Sequence, residues 1–181
     1  MLGQSRFDII DNVIIVDDGS DDGSREVIRE IGMENQKLEY VFQENQGLPG
    51  ARNTALERCT GDFVAFQDGD DIWLEHKIER QAQVIEEYPD VGLVYSDFYL
   101  FGMGDQKRVT PNRYKYSDGD ILERFFLKGG PIIPSTVLVN SECLHTIGKF
   151  DPKLLRAQDT DLWLRIAEKY RFHHISDPLV M

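Results

Sequence analysis

The sequence predicts an α/β fold whose largely parallel sheet is flanked by helices. Two observations carry that prediction. Short β-branched runs alternate along the chain with segments of helical period. Several of those runs end abruptly in turns rich in Asp and Gly, as buried strands do when they reach the edge of a sheet.

The elements follow in order. Residues 13–16 form a continuous β-branched run that stops at Asp17-Asp18-Gly19-Ser20. Residues 24–31 read as a helix with Val27, Ile28 and Ile31 on one face, and Gly32 is placed to stop it. A second short strand spans residues 38–42. Pro49 opens a helix that reaches about Cys59. Residues 62–66 make a third strand, ending at Gln67-Asp68-Gly69-Asp70-Asp71. Residues 75–87 are helical, with Ile78, Ala82 and Ile85 as the apolar stripe, and residues 91–101 form a longer strand. Residues 102–116 are polar and read as a loop. Asp118 is placed to cap a helix through Leu127. Pro131 and Pro134 bracket an irregular stretch. Residues 136–139 then read as a strand, 141–147 as a short helix, 159–170 as a helix and 172–175 as a last strand.

The length of 181 residues fits one domain, residues 1–181. Apolar content of 41% and charged content of 29% are those of an ordinary globular chain. No run approaches a membrane span and Met1 opens no leader pattern, so a cytoplasmic location is expected. Cys59 and Cys143 sit in unrelated segments, which suggests a reducing compartment. A net charge of -12 argues against nucleic acid as a partner, because a phosphate backbone needs a basic face. A diphosphate can still bind an acidic protein if a divalent cation bridges the two.

Four segments carry chemistry. Asp68-Gly69-Asp70-Asp71 follows a strand directly, and ligands of open α/β sheets sit outside the carboxyl ends of strands. Magnesium or manganese takes oxygen ligands there and shares them with substrate phosphates. The competing reading is an acidic turn that caps the next helix. Asp17-Asp18-Gly19-Ser20 suits hydrogen bonding to a base or ribose, and equally suits a turn with capping acids. A calcium loop fails here, because Arg29 stands where that loop needs Glu. Residues 44–53 offer two glycines, a helix N-terminus and Arg52, whose fork suits phosphate or a base carbonyl. In Gln158-Asp159-Thr160-Asp161-Leu162-Trp163-Leu164-Arg165, Asp159 opens a helix, as a cap or as a general base. Asp161 and Arg165 are spaced for a structural ion pair. Histidine-pair zinc sites, Walker loops, dinucleotide fingerprints and nucleophile elbows are all missing from the sequence.

Taken together, these segments resemble the family 2 glycosyltransferases, the inverting family with the A-type glycosyltransferase fold. Val13 to Ser20 looks like its second strand, and Asn45-Gln46-Gly47 through Ala51-Arg52-Asn53 like its N-x-G…A-R-N segment. Phe66 to Trp73 looks like its D-x-D-D motif, and Gln158 to Arg165 like its E-D-x-D-L-W-L-R segment. The resemblance covers nearly the whole chain. It implies a nucleotide-sugar-binding half, about residues 1–100, and an acceptor-binding half, about residues 101–181. Asp17, Asp18 and Arg52 would contact the nucleotide, and Asp68 the ribose or diphosphate. Asp70, with Asp71 beside it, would hold a divalent cation, Mn2+ or Mg2+. Asp159 would be the catalytic base, and Gln158 stands where the family usually has Glu.

The implied donor is a nucleoside-diphosphate sugar, with a UDP-sugar first among candidates. The implied acceptor is a glycan or lipid-linked hydroxyl in bacterial surface polysaccharide synthesis. Peripheral association with the inner face of the membrane goes with such an acceptor.

Measured against the family, the chain is expected to lack the opening strand of the type V-S-V-I-I-P-x-Y-N and the closing end. A strand missing from inside a sheet leaves ladder groups open on its neighbours. An inactive remnant, acting as a binding or oligomerising module and repaired by another chain or a homodimer, is therefore the rival class. A nucleotidyltransferase is a third; it would more often carry a Gly-rich basic loop near its start.

Overall fold

The structure is a computed structural model, and it describes residues 2–33, 35–100, 108–110, 121–128 and 132–181. The elements in chain order are β1 (Val13–Asp17), α1 (Ser24–Met33), β2 (Leu38–Phe42), α2 (Gly47–Leu56) and β3 (Phe63–Ala65). Then come α3 (Lys77–Glu87), β4 (Val91–Leu100), β5 (Arg108–Thr110), α4 (Leu122–Lys128) and β6 (Leu138–Asn140). The chain closes with α5 (Ser141–Ile147), α6 (Gln158–Ala167) and β7 (Arg171–Val180). One-turn 3-10 helices lie at Phe7–Ile9 and Pro134–Thr136.

Strand β4 is the centre of the molecule. Its first six residues are all buried, so both faces of the pleat are covered, and its sequence runs apolar rather than alternating. Along one edge it pairs in parallel with β7. Along the other it pairs antiparallel with β6 at Leu93 and Val94 and with β5 at residues 98–100. Strand β6 pairs antiparallel with β3 in turn. Against this sheet pack Leu162, Trp163 and Ile166 of α6, all 0% exposed. Gly92 is needed where β4 passes beneath α5 and the end of α6. A Cβ there would lie 2.5 Å from Tyr170 Cβ and 2.8 Å from Cys143 Sγ.

The sheet is mixed and mostly parallel, as expected: the two longer ladders are parallel and three short ones antiparallel. It is also divided. Strands β1 and β2 form a separate parallel pair, which among the described residues has no ladder to the five-stranded sheet. The stripe on α1 is consequently poorly covered, with Val27 57% and Ile31 42% exposed.

Several boundaries differ from the sequence reading. Part of the supposed loop 102–116 is strand β5, a short edge partner that only β4 could specify. Strand β7 runs on to Val180 through Pro178, with register shifts that accommodate the proline. It continues because Ile72 and Leu74 supply a second partner for residues 179–181. Helix α2 begins at Gly47, two residues before Pro49. Strand 136–139 begins at Leu138 instead, because Pro134–Thr136 winds into a 3-10 turn. Asp118 and Pro131 lie outside the described residues.

Candidate active site

The first acidic turn is built from within. Asp17 is 4% exposed. Its carboxylate accepts from the Ser20 backbone N–H at 2.7 Å and the Tyr40 hydroxyl at 2.6 Å. The Tyr40 hydroxyl, then the Ser20 amide, hold its pKa below the ordinary range. Asp17 therefore shapes the turn. Asp18 is half-buried and reaches the adjacent segment. Its Oδ1 accepts from Gln43 Nε2 at 2.7 Å and from the Gln46 backbone N–H at 2.9 Å. Gly19 has φ +88°, and a Cβ there would approach the Asn45 backbone nitrogen to 3.3 Å. A side chain would push the turn off the start of α2.

Helix α2 carries the link to the second acidic turn. Arg52, 8% exposed, donates from Nη2 to Asp68 Oδ1 at 2.7 Å. Its guanidinium also lies 5.3 Å from the centre of the Phe150 ring. Beside it, Asn53 exchanges two hydrogen bonds with the Phe150 backbone, at 2.9 and 3.0 Å. Phe150 in turn packs edge-on against Phe66, at the tip of β3, and against Trp163 of α6. One aromatic cluster thus ties α2, the end of β3 and α6 together.

Asp159 sits in the first turn of α6, four residues before Trp163 and so on the same helical face. Its Oδ1 accepts from the Thr160 backbone N–H at 2.8 Å, and its side chain is half-buried. Ala157, ahead of it, holds a left-handed conformation with φ 54°. The neighbouring Asp161 bonds Arg165 at 2.7 Å, the structural pair the spacing suggested.

The turn after β3 holds Asp68 half-buried, Asp70 exposed and Asp71 half-buried. Burial, reinforced by the negative charges of Asp68 and Asp70, pushes the Asp71 carboxyl above the usual carboxylate range, against the opposing pull of the Ser135 hydroxyl. Among the described residues no three of His, Cys, Asp and Glu converge as a closed ligand set. The turn nonetheless fits a hard cation, which commonly takes one or two carboxylates and completes its shell with substrate phosphates and water. Mutual repulsion among these acids is what such an ion relieves.

Ser135 was not singled out in the sequence. It is 0% exposed, its Oγ accepts from the Asp68 backbone N–H at 2.9 Å, and its carbonyl accepts from Trp73 Nε1 at 3.0 Å. Phe150 was also passed over. Neither lies in a motif; both matter only because the chain returns to β3 from far away.

Acids at the ends of strands, an arginine on the adjoining helix and an acid on a later helix define a class: α/β proteins that bind ligands at the carboxyl edge of the sheet. Comparison with known proteins is more specific. The family model described as "Glycosyl transferase family 2" matches residues 4–146, and the chain belongs to that family. It is 33% identical over 177 residues to the amylovoran biosynthesis glycosyltransferase AmsB of Erwinia amylovora, covering 93% of this chain and 58% of that one. An uncharacterized glycosyltransferase of Methanocaldococcus jannaschii is 29% identical, with the same coverages. The chain thus spans somewhat over half the length of these relatives.

Two solved structures share the fold. TarS of S. aureus superposes with a TM-score of 0.77 at 20% identity, over 98% of this chain and 32% of that one. The mannosyltransferase PcManGT of Pyrobaculum calidifontis, in complex with GDP-Man and Mn2+, gives 0.66 at 22% identity, over 92% and 46%. No helix among the described residues is long and apolar enough to cross a membrane.

Proposed function

We propose that the protein is a glycosyltransferase that moves a sugar from a nucleoside diphosphate to an acceptor hydroxyl with inversion. The observation that carries this reading is the junction at the tip of β3. There Arg52 meets Asp68 at 2.7 Å, and Phe150 joins Arg52 to the helix of Asp159. Family membership supports the same chemistry.

The roles follow from position. Asp18, steadied against the start of α2, is the acceptor for donors on the base. Arg52 and Asp68 form a pair that nucleotide entry reorganises, giving the guanidinium to oxygen atoms of the ligand and the carboxylate to ribose hydroxyls. Asp17 supports them by fixing the turn. Asp70 and Asp71 hold a divalent cation, manganese or magnesium, which when bound neutralises charge on the diphosphate. Asp159 takes the proton from the acceptor hydroxyl. That oxygen bonds to the anomeric carbon as the bond from this carbon to the diphosphate oxygen breaks, so configuration inverts.

The donor we favour is a UDP-sugar. The acceptor we favour is a glycan or lipid-linked hydroxyl in surface polysaccharide synthesis; AmsB is named for amylovoran biosynthesis. Residues 1–100 serve the donor and 101–181 the acceptor. Calorimetry with UDP, with and without Mn2+, tests the binding half of this reading. Asp159→Asn should bind UDP and Mn2+ as the parent does, yet lose transfer by about 10²–10⁴-fold. Unchanged turnover in that variant, or metal-independent nucleotide binding, would reject the assignment.

A further inference from the structure

Ser135 reaches the acidic turn from far along the chain, and sheet register explains its arrival. Strands β3 and β6 run antiparallel, with Ala65 opposite Leu138. Carried three residues further, that register sets Asp68 opposite Ser135. It also fixes which pairs exchange hydrogen bonds. The Ser141 N–H donates to the Asp62 carbonyl at 2.9 Å, and bonded pairs recur at every second residue. Asp68 and Ser135 are such a pair, so an unbroken ladder would bring the Asp68 N–H to the Ser135 carbonyl. The ladder stops short of them, because Pro134–Thr136 winds into its 3-10 turn. The carbonyl turns to Trp73 instead, accepting from Nε1 at 3.0 Å. The serine hydroxyl takes its place, accepting from the Asp68 N–H at 2.9 Å.

One residue therefore grips both ends of the turn from Asp68 to Trp73. The grip is set into the core: Ser135 is 0% and Trp73 7% exposed. Below it, Lys77 Nζ lies 4.1 Å from the centre of the Trp73 ring and donates to Gln81, whose Nε2 donates to the Thr136 carbonyl at 2.8 Å. Between its held ends the turn is open. A Cβ on Gly69 would meet nothing within 4 Å, and Asp70 is exposed. A hydroxyl has one proton to give besides its acceptor sites. The Asp68 N–H arrives as a donor, so the Ser135 proton is left for an acid. Burial pushes the Asp71 carboxyl up, and the Ser135 hydroxyl draws it down.

We propose that Ser135 is a positioning residue for the divalent cation and the diphosphate: its hydroxyl anchors the Asp68 backbone and steadies the Asp71 carboxylate, so the acids of the turn keep one arrangement. The role rests on the sugar-transfer reading, which supplies the ligand. Ser135 acts through Asp68 and Asp71 and touches no ligand itself. Alanine would keep the packing of the 3-10 turn and leave the Asp68 N–H unpaired.

The test compares Ser135→Ala with Thr136→Val in the full chain. Thr136 lies in the same 3-10 turn and is also 0% exposed, but its Oγ1 donates to the Ile133 carbonyl at 2.7 Å, not to the acidic turn. Each variant loses one buried hydroxyl, so both should lower Tm. Mn2+ affinity with UDP present, read from the electron paramagnetic resonance signal of free Mn2+, separates them. Ser135→Ala should weaken it by roughly 10–100-fold, and Thr136→Val should leave it as in the parent. Unchanged affinity in Ser135→Ala, or an equal loss in both variants, would overturn the inference. A parent chain that takes up no Mn2+ with UDP would instead defeat the sugar-transfer reading, and the role of Ser135 with it. Hydrogen exchange of the unaltered chain decides the matter even where Ser135→Ala does not fold. Its Asp68 amide should exchange at least about tenfold more slowly than that of Asp70, and equal rates would show that the hydroxyl anchors nothing.

Discussion

Lys77 is the residue whose chemistry least suits its place. It is 0% exposed, donates to Gln81 Oε1 at 2.7 Å, and lies 4.1 Å from the centre of the Trp73 ring. Burial lowers its pKa from 10.5 to about 7. The sign follows from proton counts. Between about pH 7 and 10.5 the unfolded chain binds a proton that the folded chain has released, so stability rises with pH across that window. Below it both states are protonated and the full cost of burying the charge is present. Lys77→Met should therefore raise the urea midpoint at about pH 6 and flatten its rise toward about pH 10. A midpoint that does not move at low pH would show the ammonium to be adequately compensated by Gln81 and Trp73. Nothing in the local sequence marks this lysine as buried, since it stands among charged residues. The covering elements come from residues 60 positions away, such as Val137, whose carbonyl lies 3.5 Å from Nζ.

Among the elements, α5 shows how local chemistry sets a boundary. Asn140 ends β6 and caps the helix, its side chain accepting from the Glu142 backbone N–H at 2.8 Å. Gly148 closes it at φ 95°. Asn140→Ala should cost about 1 kcal/mol and lower Tm by roughly 2–4 °C, while Asn140→Asp should restore most of it. Differential scanning calorimetry of the pair checks this. Elements with such signals at both ends were legible, and residues 141–147 were read correctly as a helix. Strand β5 was not, because residues 108–110 carry no periodicity of their own and acquire strand character only by pairing with residues 98–100 of β4.

At the scale of the whole molecule, stability is unevenly distributed. The five-stranded sheet and the helices around it hold the largest fully buried side chains, whereas β2 has no buried residue and α1 leaves Val27 and Ile31 exposed. Local opening is easiest where few apolar contacts must be broken. Amides of residues 13–42 should exchange at least about tenfold faster than those of Leu93 to Ser96 in native-state hydrogen exchange. Uniform protection across both parts would mean that the two sheets unfold as one unit.

The sequence by itself determined the alternation of strand and helix, the acidic turns at strand ends and the four segments that mark the family. Those features are local: they depend on residue type within a few positions. Tertiary structure alone decided that Arg52 spends its charge on Asp68, that Phe150 and Ser135 complete the site, that Lys77 is buried, and that the sheet falls into two parts. Each of these depends on which segments meet after long excursions of chain, and loop closure over such distances leaves no periodic trace in the residues that meet.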